Sequence, residues 1–338
     1  MIAQTPPTTV MVYVGLDRVG DGLLKLPFAR GLREAFADAR ITWVAGKETS
    51  VYAGVMAPLV AGLLDEVIEH AGIGLHPSEL LGRPLGGRRF DLVIDTQRIF
   101  WASLSLWRVP HKTFISPAAR FLLSSRKPPP GYRFPKSMQR QMLDLLEIAA
   151  GRPFASPARL DLDLDAGLHA DAARLLPDGP VYVGLAPGSG GPPKCWPLEN
   201  FIALAGAQVA RGRAPVFLLG PQEVEWTAGL REAVPRALFP LQADGVEAVH
   251  GFSPLFTMAL AKRLALAVSN DSGVNHMLAI AGAPLVSLYG VTTPRKFPPM
   301  GEDISFLHAG DFGGREMKYI PVDAVIDAAD AVLGRGGA

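Results

Sequence analysis

Seven short apolar runs of strand length, in two sets, limit this chain more than any other feature. The first set covers residues 10–16, 41–45 and 91–95; the second covers 181–185, 215–219, 264–269 and 284–289. Between them lie segments with apolar residues at helical spacing, as in Leu24, Phe28, Leu32 and Phe36. Further helices are predicted over residues 49–60, 136–150, 166–176, 198–210, 223–233, 254–261 and 273–282. Alternating strand and helix implies an α/β, doubly wound parallel sheet, and the two sets imply two Rossmann-like halves. The expected boundaries are 1–165 and 178–320, with a helix and tail over 321–338 able to pack back on the first domain.

Ligands of such sheets sit at the carboxyl ends of the strands. The run 181–185 leads there into Ala-Pro-Gly-Ser-Gly-Gly-Pro-Pro-Lys-Cys-Trp-Pro, residues 186–197, and then into a helix. Gly188, Gly190 and Gly191 allow positive φ and clear side chains away. Backbone N–H groups can then close on an anion near the helix N-terminus, with Lys194 adding a full charge. The turn is a phosphate cradle, but it matches neither of the two common nucleotide fingerprints. Asp17, Asp21 and Asp95 occupy carboxyl ends in the first half. Asp21 is either a functional carboxylate or a helix N-cap, and Asp271 or Ser272 is open to the same two readings.

Composition closes off several classes. A net charge of +1 excludes a globally basic nucleic-acid binder, and 49% apolar against 19% charged residues leaves room for two cores. The single cysteine, Cys195, excludes a disulfide framework and a cysteine-based zinc site, and reads as a small buried filler. Asp161-Leu-Asp-Leu-Asp invites a calcium reading that fails, since Ala166 and Ala172 stand where the loop needs Gly and Glu. Alternation there puts leucines inward and carboxylates in water. The N-terminus carries no Lys or Arg before Arg18 and no apolar core of a signal, so a cytoplasmic protein is expected. The uncharged run 272–294 is long enough to span a bilayer, but Asn275, His276 and Ala-Gly-Ala-Pro at 281–284 read instead as a buried helix and a buried strand. Residues 96–143 hold nine Lys or Arg and no Asp or Glu. Their Pro and Gly content predicts a long loop, either a solvated basic surface or a site for a polyanionic acceptor or anionic membrane. Arg120, Arg126, Lys127 and Arg133 are its expected anion-binding residues.

Five motifs in order then carry a resemblance: Arg18-x-Gly20-Asp21, Pro-Gly-Ser to Lys194-x-Trp196-Pro197, Gly220-Pro221-x-Glu223, Asn270-Asp271-Ser272-Gly273 with His276, and Tyr289-Gly290-x-Thr292-x-Pro294. Together they resemble glycosyltransferase family 9, the lipopolysaccharide heptosyltransferase family. The resemblance implies a GT-B fold, two Rossmann-like domains whose parallel sheets face an interdomain cleft, the first binding acceptor and the second nucleotide sugar. It implies an inverting, metal-independent transfer, typically from ADP-heptose to an inner-core sugar of lipid A, with no cofactor and no nucleic acid. The enzyme would be cytoplasmic and peripheral on the inner membrane.

By the same resemblance, Asp21 is the catalytic base and Lys194 neutralises the leaving diphosphate. Ser189 and Gly190 match donor-phosphate positions, Glu223 lies near the ribose position with Glu225 competing for it, and Phe252 meets the adenine. Asp271, Ser272 and Gly273 face the donor sugar and phosphate, with His276 close behind. Cys195 and Asn270 depart from the family pattern. A nicotinamide dehydrogenase would need Gly-x-Gly-x-x-Gly in the first turn, which is missing. A non-catalytic nucleotide-sugar binder or assembly protein of the same fold remains the alternative, against which the retention of Asp21 and Lys194 argues.

Overall fold

The computed structural model describes residues 5–74 and 76–335. They form two compact α/β units, divided between Pro157 and Ala158, each built on a five-stranded sheet in which every strand pair is parallel.

The first unit runs β1 (Thr9–Val14), α1 (Val19–Ala35), β2 (Arg40–Ala45), β3 (Glu66–Ile68), β4 (Phe90–Asp95), α2 (Phe100–Trp107), β5 (His111–Ile115) and α3 (Met138–Ala150), with sheet order β3-β2-β1-β4-β5. Winding therefore reverses between β1 and β4. The central strands are buried on both faces, as helix-covered parallel strands must be, and Met11, Tyr13, Val44, Val93 and Phe114 form a core. Helices α1 and α3 pack closely at Gly31, where a Cβ would stand 2.6 Å from Leu146. The Ser137 hydroxyl caps α3 by accepting from Arg140 N, and Gly151 ends it at φ 73°.

Two sequence expectations fail in this unit. Residues 49–60 form turns and a short 3-10 segment, Ala57–Val60, because Gly54 and Pro58 interrupt the helical spacing. Residues 96–143 are not one loop but contain α2 and β5.

The second unit runs α4 (Ala166–Leu175), β6 (Tyr182–Ala186), α5 (Leu198–Ala210), β7 (Ala214–Phe217), α6 (Thr227–Ala233), α7 (Val246–His250), α8 (Pro254–Ala261), β8 (Leu266–Asn270), α9 (Gly273–Ile280), β9 (Leu285–Tyr289), β10 (Ile304–His308) and α10 (Val322–Arg335). Its order, β10-β9-β8-β6-β7, reverses between β6 and β8. Leu160, Leu162 and Leu164 are buried while Asp161, Asp163 and Asp165 face water, as the alternation requires. Asp165 then caps α4 by accepting from Gly167 N. Helix α4 packs on α8, and Arg263 Nε donates to Leu176 O at 3.0 Å, so residues 166–177, between the two expected domains, belong to the second unit.

The helix expected to pack back on the first domain does not have its apolar face free. Val325, Ala329 and Val332 of α10 join Leu185, Phe201, Phe217, Val268 and Leu288 in one core, and Asp330 pairs with Arg211 and Arg213 near the end of α5. Residues 336–338 of the expected tail lie outside the described residues. The run 272–294 contains α9 and β9, and among the described residues no helix is long and apolar enough to cross a membrane.

Candidate functional site

A doubly wound sheet opens a crevice at the carboxyl edge where its winding reverses. In the second sheet that point is β6 beside β8, paired in register with Ala186 opposite Ser269. The turns after these two strands are therefore neighbours, with the turn after β7 on one side and that after β9 on the other.

Asp271 is the hub. Its backbone oxygen accepts from Ser189 Oγ at 3.1 Å, and its carboxylate accepts from Lys194 Nζ at 2.9 Å and Thr292 Oγ1 at 2.7 Å. Behind it, the fully buried Asn270 donates through Nδ2 to Pro187 O at 2.7 Å and accepts from Trp196 N at 3.1 Å. One amide thus fastens both ends of the cradle to β8. The Trp196 indole, also buried, donates to Ile320 O at 2.9 Å. Asn270 and Thr292 stood in the sequence motifs without a role; their positions at the ends of neighbouring strands supply one.

The glycines of the cradle act by removing side chains rather than through positive φ. Gly188, Gly190 and Gly191 are absent from the positive-φ residues, and Gly191, at φ 165°, is extended backbone open to any residue. What Gly188 supplies is space: a Cβ there would stand 2.5 Å from the Glu223 carboxyl group. Glu223 is buried, accepts from Gly220 N at 3.0 Å, and has its carboxyl pKa raised by that burial. Glu225, two residues on, is exposed. Ser189, Gly190, Gly191, Cys195, Glu223 and Trp226 help line a cavity of about 390 Å³. Burial pushes the Cys195 thiol up, away from thiolate character, in line with a filler.

Ser272 occupies the N-cap position of α9 without capping it, and its buried hydroxyl has no hydrogen-bond partner among the described residues. A buried hydroxyl so placed favours a ligand that completes it. Gly273 opens the helix and His276 is buried one turn in. Phe252 is half-buried between α7 and α8 and is not among the residues lining the cavity. Among the described residues there is no group of three or more His, Cys, Asp or Glu able to hold a metal ion.

In the first unit the reversal lies between β1 and β4, and three carboxylates gather near it. Asp17 is buried and accepts from Lys25, from Trp43 Nε1 at 2.7 Å and from Ser50 Oγ at 2.9 Å. Asp95, fully buried, accepts from Ser103 Oγ, from Ser116 Oγ at 2.7 Å and from Gln97 N at 2.8 Å. Loss of solvent pushes its carboxyl up to about 6. Asp21 alone of the three makes no hydrogen bond or ion pair with the described residues. It lies in the first turn of α1, half-buried, and the N-cap position belongs to Arg18, so the capping reading fails.

The four basic candidates separate. Arg120 is exposed in a turn after the carboxyl end of β5, where Ala119, Arg120 and Phe121 all have positive φ (47°, 55° and 65°). Three non-glycine residues in succession at left-handed φ are costly, and such strain concentrates at functional positions. Lys127 stabilises this turn by donating to Phe121 O and Leu122 O. Arg126 donates to Ala149 O and lines a cavity with Thr8, Asp91 and Lys112, at the amino ends of β1, β4 and β5. It therefore stands at the edge opposite the crevice. Arg133 is exposed, with no hydrogen bond or ion pair to the described residues.

The model of glycosyltransferase family 9 (heptosyltransferase) matches residues 79–315. Among curated proteins, 136 residues are 29% identical to lipooligosaccharide heptosyltransferase 2 of Haemophilus influenzae, a match spanning 39% of this chain and 38% of that relative's length. Two solved structures share the fold across nearly the whole chain. A glycosyl transferase family 9 protein from Veillonella parvula is 21% identical with a TM-score of 0.71, covering 97% of each chain. The E. coli heptosyltransferase WaaC with ADP is 19% identical with a TM-score of 0.66, covering 96% of this chain and 99% of that one.

Proposed function

The chain belongs to glycosyltransferase family 9, and from that premise we propose that it is an inverting, metal-independent glycosyltransferase moving heptose from ADP-heptose to an inner-core or related lipopolysaccharide acceptor. The observation that carries the reading is the convergence of Ser189, Lys194 and Asp271 where β6 meets β8. A sheet reversal carrying a glycine-rich turn, a hydroxyl and one ammonium suits a diphosphate. In this reading Ser189 and Gly190 receive the phosphates, Glu223 rather than the exposed Glu225 receives the ribose, and Phe252 meets the adenine. Ser272 and Gly273 face the sugar phosphate, with His276 behind them.

The chemistry follows. Asp21 takes the proton from the acceptor hydroxyl as its oxygen bonds to the anomeric carbon on the face opposite the nucleotide. The bond from that carbon to the diphosphate oxygen breaks, and ADP departs with the electron pair. Lys194 meets the charge that grows on the leaving group, where a preorganised cation helps most. Arg120 and Arg133 pair with the anionic acceptor, and the reaction takes place in the cytoplasm at the inner membrane.

A panel of ADP-, UDP- and GDP-sugars, screened for thermal stabilisation, tests the donor, since a ligand of the folded state raises stability by RT ln(1 + [L]/Kd). ADP-heptose should raise Tm and release ADP when an acceptor is added. Stabilisation by UDP-sugars alone would sink the heptose reading.

A further inference from the structure

Helix α2 is turned inside out. It buries Ala102, Ser103, Ser105 and Leu106, and leaves Phe100, Trp101 and Trp107 exposed, Trp101 by 57%. An amphipathic surface helix does the reverse. The small residues face inward because Ser103 is needed there, its hydroxyl bonded to Asp95 and Ser116. Two flanking segments pack on α2 and extend the apolar face. Pro77–Leu81 ends in Leu81, 90% exposed, and Ala118–Arg120 leads to Leu122, 65% exposed. Single exposed apolar residues are ordinary, but a cluster on neighbouring elements marks an interaction surface.

The charge of the segment that carries α2 and Leu122 is of one sign, while Glu79 of the flanking Pro77–Leu81 accepts from Gly74 N and His76 N. Residues 96–143 contain nine Lys or Arg and no Asp or Glu, and Arg98, Arg108, Arg120, Arg133 and Lys136 are exposed. Asp95, which bonds to α2 from β4, is fully buried. We propose that this face docks the protein on an anionic lipid bilayer, with Phe100, Trp101, Trp107 and Leu122 entering the headgroup boundary. Indole rings suit that boundary, and apolar insertion beside a basic patch supplies the two signals that stable peripheral binding needs. A second copy of the chain fits poorly, since a twofold contact would set basic patch against basic patch. The inference deepens the reading above by naming the surface that meets the lipid.

The test mixes the full chain with phosphatidylethanolamine–phosphatidylglycerol vesicles, or with phosphatidylcholine vesicles, at ~0.1 M and ~1 M salt, where screening lengths are about 10 Å and 3 Å. Sedimentation with the anionic vesicles at the lower salt is expected, with tryptophan emission quenched by brominated lipid. The double variant Trp101→Ser, Leu122→Ser should bind at least tenfold more weakly, yet transfer sugar normally to a soluble, acyl-free acceptor. No binding to anionic vesicles, equal binding to phosphatidylcholine, or equal binding by the double variant overturns the proposal. So does a concentration-dependent dimer that the double variant abolishes in the absence of vesicle binding. If that variant does not fold, quenching in the unsubstituted protein decides, and its absence rejects the assignment. Vesicle binding without sugar transfer leaves the docking face standing and removes the transferase reading instead.

Discussion

Lys194 and Asp271 lie 77 residues apart in the chain and 2.9 Å apart in the fold. The carboxylate is shared with Thr292, and the lysine side chain remains 38% exposed, so the ammonium is held at the cradle without being buried in it. An ion pair this open contributes about 1 kcal/mol or less to stability. Lys194→Ala should accordingly leave Tm nearly unchanged while lowering kcat about 10²-fold or more, as for other preorganised charges. Steady-state kinetics on the folded variant check this, and an unaltered kcat would remove Lys194 from the site.

Asp21 and Asp17 should respond in opposite ways. Asp21 makes no hydrogen bond or ion pair among the described residues, so Asp21→Ala should retain stability and donor binding by calorimetry while abolishing transfer. Asp17 satisfies a buried lysine, an indole and a hydroxyl. Removing one partner of such a pair costs about 3–5 kcal/mol, so Asp17→Ala should unfold at markedly lower denaturant. A folded Asp21→Ala enzyme keeping more than about a tenth of wild-type kcat would show that another group is the base.

The separation of Arg120 from Arg126 divides the basic segment. Arg120→Gln should raise the acceptor KM about tenfold, the effect of losing one charge-assisted hydrogen bond, and should flatten its salt dependence. Arg126→Gln should lower stability through the lost bond to Ala149 O and leave acceptor KM alone. Equal effects on acceptor KM would refute the division.

Asp95 should make the first unit sensitive to mild alkalinisation from an acidic start. Its carboxyl is raised from 3.8 to about 6, so the folded state holds a proton that the unfolded state has lost. The resulting stabilisation is complete below about pH 4 and is lost as pH rises through about 6, on the order of 3 kcal/mol. Asp95→Asn should abolish that slope. Urea titrations between pH 4 and pH 7 that give parallel curves for both proteins would contradict the assignment.

The strands that sequence reasoning located are β1, β2, β4, β6, β7, β8 and β9, and six of these seven are interior. The strands it missed, β3, β5 and β10, are all edges. An edge strand is half-exposed, so β5 opens with His111 and Lys112 and no residue of β10 is fully buried, and neither shows the continuous apolar run of a covered strand. Helix α2 escaped because its aromatic residues point outward and its serines inward. Within the site, Asp271 and Lys194 were legible as motif members, but Asn270 acquires meaning only once β8 lies beside β6. Composition counted the charges of residues 96–143 without revealing that Arg126 and Arg120 stand at opposite edges of the sheet.

The order in which the ribosome delivers the chain treats the two units unequally. All five strands of the first sheet lie before Pro157, so that unit can close while synthesis continues. In the second, β6 emerges early but lies between β7 and β8, and the indole beside the cradle waits for Ile320, 124 residues later. A nascent chain therefore presents its carboxylate Asp21 on a finished scaffold well before Ser189, Lys194 and Asp271 can come together.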